Sequence, residues 1–285
     1  MLKELIASRL KDMTPGQTAV AAFILDNTRD AAFLTASQIG KRAGVSEATV
    51  IRLSMLLGFS GYHDFRDALR NHLMDHLSTL ERIREYDSPK ESGIFERAVK
   101  KDLETLSEAL ASLVPKNLTS LGKALAGAEA VYLAASRSST SLSGYLSFYL
   151  SWMLPNVRAI SADIPFETLM NAPRGSLVVG ISFPRYSTWT VNVMDTASRL
   201  GIDTAAVTNH ISSPLAAKAK YIVTIPYKPV SFIDSFAAPM SVLNCIILSV
   251  AQVLGPAMKE KLEVLERNWK EEEMYVPGRN RQKEG

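Results

Sequence analysis

The sequence is poor in the residues that staple a chain, hold a metal or cross a membrane. It has one cysteine, Cys245, in 285 residues. A lone thiol excludes an internal disulfide framework and a cysteine-based zinc site, and it suits a reducing compartment. Bulk charge is also nearly missing: the formal net charge is +3. That excludes a polycation, so any contact with nucleic acid must come from local placement of Lys and Arg. No apolar run is long and unbroken. The most apolar window, residues 236–256, is interrupted by Pro239, Ser241, Asn244, Ser249 and Gln252. It reads as a helix in a core or a subunit contact rather than a membrane span. The opening "MLKELIASRLKDM" has neither the apolar centre nor the cleavage site of a signal peptide. Low-complexity tracts and internal repeats are lacking too. These absences lead us to expect a folded cytoplasmic protein with no membrane partner.

At 285 residues the chain is long enough for two domains. Residues 1–75 read as helices only, divided by "TPG" at 14–16, "NTRD" at 27–30, Gly44 and "GFSGY" at 58–62. Residues 73–113 are charged, with apolar residues every three or four positions, and "DSPKESG" at 87–93 looks like a hinge. The character changes near residue 128. Short runs rich in Val, Ile and Ala at 129–136, 156–160, 176–182, 203–209 and 220–226 are separated by helical patterns such as 139–153 and 188–200. Buried strands alternating with helices predict an α/β domain with a mostly parallel sheet. The last 30 residues begin as a charged helix and end in a polar tail expected to be disordered.

Within the helical part, residues 35–66 carry the pattern of two helices meeting at a corner. Gly40 is the small residue that lets them approach, and Gly44 supplies a left-handed turn. Ile39, Ala43, Val45, Val50 and Leu53 provide the apolar lock. Ser46 is the expected N-cap of the second helix, predicted over 46–57, with Thr49 three positions on. Val50, Leu53, Leu56 and Leu57 form its apolar face. Its other face starts with Ser46, Glu47, Ala48 and Thr49 and continues to Arg52. Small polar residues at a helix N-terminus suit base edges and phosphates in a major groove. Between residues 31 and 63, Lys41, Arg42 and Arg52 oppose only Glu47. Spacing alone leaves an ordinary helical corner open as the alternative.

The continuation "VSEATVIRLSMLLGFSGYHDFR" resembles the N-terminal domain of the RpiR family of bacterial transcriptional regulators. That family's second helix carries Ser-x-Ala-Thr-Val-x-Arg, followed by Leu-Gly-Phe-x-Gly-Tyr and Phe-Arg, and every one of these residues is present. The resemblance implies a helix-turn-helix whose DNA contacts fall on Ser37, Lys41, Arg42, Ser46, Glu47, Ala48, Thr49 and Arg52. It also implies a C-terminal sugar isomerase (SIS) domain, a doubly wound, flavodoxin-like parallel sheet that binds phosphorylated sugars. The expected fold class is therefore α plus α/β. The expected divisions are a DNA-binding domain over 1–75, linker helices over 76–112, a ligand-sensing domain over 113–258, and a helix with its tail over 259–285.

Phosphates are well held where a strand ends and a helix begins, because free N–H groups and a partial positive charge converge there. Two loops of this type are "ASRSST" at 135–140 and "SFPRYST" at 182–188. Set against the SIS pattern Gly-x-Gly-x-Ser, Ala135 and Arg137 replace glycines and Ser139 keeps the serine. In the second loop Ser182 is kept, Pro184 and Arg185 replace Ser-Gly, and Ser187 stands for threonine. Lost glycines limit backbone approach to a phosphate, whereas gained arginines can pair with an anion through their planar forks. The expected ligand residues are Ser136, Arg137, Ser138, Ser139, Ser182, Pro184, Arg185, Ser187 and Thr188. Their ligand is a phosphosugar, another small anionic metabolite, or none if the domain serves only to oligomerise.

Sugar isomerisation would require a base near the substrate carbons. His210, just after the strand at 203–208 and so near the strand-end crevice or simply solvated, and Glu167, which no spacing supports, are the candidates. No metal-ligand cluster, nucleophile elbow or Walker-type loop is present, so no cofactor, metal or catalysis is expected. The reading is a regulator, expected to be a repressor, that binds double-stranded operator DNA as a homodimer or homotetramer. The alternatives are a sugar-phosphate isomerase with an accessory helical domain, and an SIS domain retained for oligomerisation alone.

Overall fold

A computed structural model describes residues 2–66, 68–69, 78–86 and 93–276. The expected hinge at 87–93, apart from Gly93, and the expected disordered tail beyond 276 lie outside the described residues. Two compact units are formed. The first comprises Met1–Glu91 with Ser231–Ile233, and the second Ser92–Val230 with Asp234–Gly285.

The first unit contains α1 (Leu2–Arg9), α2 (Pro15–Asp26), α3 (Thr28–Ala31), α4 (Ala36–Ala43), α5 (Glu47–Leu56) and α6 (Thr79–Tyr86). Thr14 opens α2 with a capping box, its hydroxyl accepting from Gln17 N while the Gln17 side chain accepts from Thr14 N. Thr35 and Gln38 repeat that device at α4. The core gathers Ile6, Val20, Ile24, Ile39, Val50, Leu53, Phe65 and Leu69. Tyr62 closes it from below: its hydroxyl donates to the Leu34 carbonyl, 28 residues back, at 2.8 Å. Phe59 and Phe65 meet edge to face with centroids 5.2 Å apart.

In the second unit five strands, β1 (Val131–Ala134), β2 (Val157–Ala159), β3 (Leu177–Ile181), β4 (Asp203–Thr208) and β5 (Tyr221–Thr224), make one sheet in the order β2-β1-β3-β4-β5. Every neighbouring pair is parallel. All five strands fall within the apolar runs identified from sequence, and the order is the flavodoxin-like one. β1 and β3 are buried along their whole length, which is why they read as continuous apolar runs rather than alternating ones.

Helices cover both faces. α7 (Ile94–Ser112), α8 (Pro115–Ala126), α9 (Thr140–Ser151) and α12 (Ala237–Leu254) pack on one side around Leu121, Leu133, Leu146, Val179, Leu243 and Ile246. The other side holds α10 (Pro165–Met170) and α11 (Thr188–Arg199), against a core that includes Tyr132, Val178, Val193, Met194 and Ala206. α13 (Pro256–Glu271) follows α12, and Trp269 on it meets Trp152 with centroids 5.0 Å apart.

α12 is the one described helix long and apolar enough to cross a membrane. In this fold Ala238, Pro239, Val242, Leu243, Ile246 and Val250 face the core, and Ser249 Oγ donates to the Leu118 carbonyl of α8 at 3.0 Å.

The expected linker region of 76–112 includes a helix with a packed face. α7, assigned from sequence to a connection over 76–112, buries Thr105 and Ala109 in the second unit. Leu106 packs against the same core, but the two fully buried positions are small and carry little apolar signal, while the helix's charges dominate the pattern. Leu243→Ala should cost about 2–5 kcal/mol of unfolding free energy in the second unit, because it opens a cavity beneath the sheet. Urea denaturation of the full chain reads this directly.

Candidate functional site

The helix corner comes first in the chain. Gly44 adopts φ +70°, the left-handed conformation expected of the turn, and Val45 N donates to the Gly40 carbonyl at 2.8 Å. At Gly40 a β-carbon would lie 2.8 Å from the Val45 carbonyl oxygen and 3.2 Å from Glu47 N. Only glycine admits that crossing. Val50, Leu53 and Leu57 are buried behind α5, and Leu56 is half-buried.

Of the residues assigned to the outward face, Ser37, Lys41, Arg42, Ser46, Glu47, Ala48 and Arg52 are exposed. Thr49 is half-buried, and its methyl group would lie 3.3 Å from a β-carbon at Gly16. Thr49 therefore helps seat α5 on the start of α2, a role that the breaker "TPG" did not reveal. The expected Ser46 cap is also corrected. Ser46 holds the N-cap position but makes no side-chain bond to a backbone N–H; its hydroxyl pairs with Thr49 Oγ1 at 3.0 Å. The amides of the first turn of α5 are thus not capped by Ser46. Arg52 Nε donates to the Ala48 carbonyl at 3.2 Å, which lays the guanidinium along α5. Arg42 lies 3.7 Å from Asp30, a solvent-exposed pair that is weak and displaceable.

In the second unit the strand order reverses between β1 and β3. Their following loops diverge to opposite faces of the sheet and leave a crevice at the strand ends, where ligands of such folds sit. Both sequence-assigned loops are there, and they touch: Ser136 Oγ donates to Ser187 Oγ at 2.6 Å. Ser187 N donates to Ser182 Oγ at 3.2 Å, and Ser187 caps α11 by accepting from Thr190 N at 3.3 Å. Ser182, Ser139 and Pro184 are buried, Ser136 and Ser187 half-buried, and Arg137, Ser138, Arg185 and Thr188 exposed. The Thr190 and Thr208 hydroxyls are buried without a hydrogen-bond partner among the described residues. Thr208 ends β4, beside the turn where Ser182 N donates to the Val207 carbonyl at 3.2 Å.

Arg137 takes φ +56°, although it stands where the SIS pattern has glycine. The backbone thus keeps the left-handed conformation, and arginine bears the strain in exchange for a guanidinium at the crevice.

Four neighbours went unread in the sequence. Asp234 accepts from Ser138 Oγ and from the Tyr227 hydroxyl. The Tyr186 hydroxyl donates to Asn209 Oδ1 at 2.6 Å. Tyr227 and Asp234 lie in an irregular segment after β5, which carries no periodicity to flag them. Of the two base candidates, His210 is exposed and its Nδ1 accepts from Ser212 N at 3.2 Å, which makes Nε2 the protonated nitrogen of the neutral ring. Glu167 is exposed on α10.

Comparison with known proteins follows the same two-part division. Residues 1–76 match the helix-turn-helix domain of the rpiR family, and residues 124–249 match the SIS domain. A relative from Caldanaerobacter subterraneus subsp. tengcongensis, described as an HTH-type transcriptional regulator, is 22% identical over 250 residues, covering 84% of this chain and 86% of its own. Among solved structures, the Vibrio vulnificus NanR protein complexed with ManNAc-6P is similar with a TM-score of 0.59 at 19% identity, over 94% of this chain and 97% of that one. The sugar isomerase domain of an RpiR transcription factor from Sphaerobacter thermophilus gives a TM-score of 0.56 at 22% identity, over 60% of this chain and 97% of that one.

Arg137→Gly should raise the stability of the second unit by about 0.5–1 kcal/mol, because it removes left-handed strain. Chemical denaturation measures it; a loss of stability would mean that the guanidinium holds the loop.

Proposed function

The chain belongs to the RpiR family of helix-turn-helix transcriptional regulators, and on that premise we propose that it represses transcription in response to a phosphosugar. In this reading α5 enters the major groove of an operator. Ser46, Glu47 and Ala48 approach base edges, and Ser37, Lys41, Arg42 and Arg52 approach phosphates. Thr49 supports that helix and contributes its hydroxyl. One helix pair covers a half-site, so useful affinity requires a homodimer or homotetramer on a roughly palindromic operator.

The observation that carries the ligand assignment is the mixed chemistry at the switch point. Two arginines face solvent beside a ring of hydroxyls, and a carboxylate stands at the rim. A bare anion would gain from Arg137 and Arg185 but meet Asp234 unfavourably. A phosphorylated sugar satisfies both, with its phosphate on the arginines and its hydroxyls donating to Asp234. The ManNAc-6P held by Vibrio vulnificus NanR favours the same class. The ligand acts by binding the DNA-competent and incompetent arrangements unequally. Neither His210 nor Glu167 is assigned a base's role, and the crevice serves for sensing rather than turnover.

Two experiments test the proposal. Arg52→Ala should weaken binding to a DNA site selected from a random library by about tenfold or more and reduce the slope of log affinity against log salt by about 1. Unchanged affinity and slope would remove α5 from the groove. Thermal-shift screening of the full chain should find a sugar phosphate that stabilises it more than the parent sugar or inorganic phosphate does. Arg185→Ala and Ser139→Ala should blunt that response while leaving DNA affinity without ligand unchanged. Turnover of an aldose or ketose phosphate by the full-length protein would instead establish an isomerase.

A further inference from the structure

The irregular segment between β5 and α12, residues 225–236, holds two parts of the second unit at once. Near each of its ends one residue reaches the crevice and the next reaches α7. At the first end the Tyr227 ring stacks on Phe183 of the second crevice loop, with centroids 5.2 Å apart and planes inclined by 24°. Its neighbour Lys228 pairs with Glu108 of α7. At the second end Asp234 Oδ2 accepts from Ser138 Oγ of the first crevice loop. Its neighbour Ser235 donates through its hydroxyl to Asp102 Oδ1 of α7. The Tyr227 hydroxyl donates to Asp234 Oδ1, which ties the two ends to each other.

These contacts are set into the fold rather than scattered over its surface. Tyr227 and Phe183 are buried, and Lys228, Asp102, Asp234 and Ser235 are half-buried. Asp102 and Glu108 stand on either side of the buried Thr105, about 9 Å apart along α7 and about 60° to its left and right around the axis. The segment therefore grips α7 at two points astride its packed face. Consecutive Cα atoms are held about 3.8 Å apart, so a shift of Tyr227 or Asp234 is felt at Lys228 or Ser235.

α7 begins at Ile94, and the long stretch of the first unit ends at Glu91. The helix gripped by the segment is thus the one that the chain enters on leaving the DNA-reading helices.

We propose that residues 225–236 are the transmission element of the sensor, carrying occupancy of the crevice to α7 through the Ser235–Asp102 and Lys228–Glu108 contacts. This deepens the reading of the crevice as the sensing site and rests on it for its purpose. A carboxylate accepts from more than one donor, so a sugar hydroxyl joins the junction at Asp234 and draws it towards the crevice. The two grips pass that displacement to α7, and the coupling is reciprocal: what alters α7 alters the crevice.

Hydrogen–deuterium exchange on the full chain tests the route without any ligand, so the phosphosugar reading can fail while the route stands, and the reverse. Ser138→Ala removes an exposed hydroxyl on the crevice side. It should speed exchange of the α7 amides over 94–112 by about two- to tenfold, the effect of one net hydrogen bond, and leave β2 and α10 unchanged. Asp102→Ala combined with Glu108→Ala cuts both grips, and Ser138→Ala added to that pair should change α7 no further. Lys228→Met with Ser235→Ala cuts the same grips from the other side and should act alike. In the reverse direction, Asp102→Ala alone should speed exchange in the first crevice loop, residues 136–139. The far-UV spectrum checks that each variant is folded. An α7 indifferent to Ser138→Ala overturns the proposal. So does an equal acceleration after the grips are cut, which would mean that the crevice reaches α7 by another path.

Discussion

The parallel direction of all five strands is the constraint on which the second unit depends. Each strand must be followed by a crossover to the opposite end of the sheet before the next begins, so every strand-to-helix loop falls along one edge. The chain then departs to one side after β1 and to the other after β3. No side chain has to be arranged for a crevice to open there; the winding produces it. Ser136, Ser182, Ser187 and Thr208, spread over 73 positions of sequence, share an edge for that reason alone. What the sequence decides locally is the chemistry on that edge, and here it sets the exposed Arg137 and Arg185 beside the serine hydroxyls.

The helix-turn-helix shows a similar separation of scaffold from surface. Of the residues shared with the family pattern, Val50, Leu57 and Phe65 are buried. Phe59 and Tyr62 are half-buried, Tyr62 tying its segment to Leu34. Much of that resemblance is therefore a record of how the corner folds. The exposed set, Ser46, Ala48, Arg52 and Gly58, is shorter, and the Ala48 side chain does the least structural work in it. Thr49 stands between the two groups: its methyl lies near Gly16 while its hydroxyl pairs with Ser46, so replacing it would confound reading with seating.

Particular elements explain how far the sequence could be read. The strands were legible because burial on both faces leaves uninterrupted apolar runs, and Gly44 because a left-handed turn has few alternatives. The packing of α7 was hard to read because its two fully buried positions, Thr105 and Ala109, carry little bulk. The bond chosen by the Ser46 hydroxyl was not legible, since a capping position admits more than one acceptor geometry. Asp234 and Tyr227 were not legible either; they reach the crevice by a path without regular structure, and only the folded chain shows that they face Ser138. The meeting of the two strand-end loops could thus be read from sequence, whereas the carboxylate beside them could not.

The bond between Ser136 and Ser187 has one more consequence. It spans the gap between the two loops and commits the Ser136 proton, so a molecule that needs a hydrogen bond from Ser136 must first break it, whereas one that accepts from the Ser187 hydroxyl need not. A net hydroxyl–hydroxyl bond is worth about 0.5–1.5 kcal/mol. An acceptor that takes the Ser136 proton exchanges that bond for its own, whereas one served by Ser187 leaves it in place. The bond thus makes the two loops unequal: the Ser136 side has its donor already engaged, and the Ser187 side keeps a donor to offer.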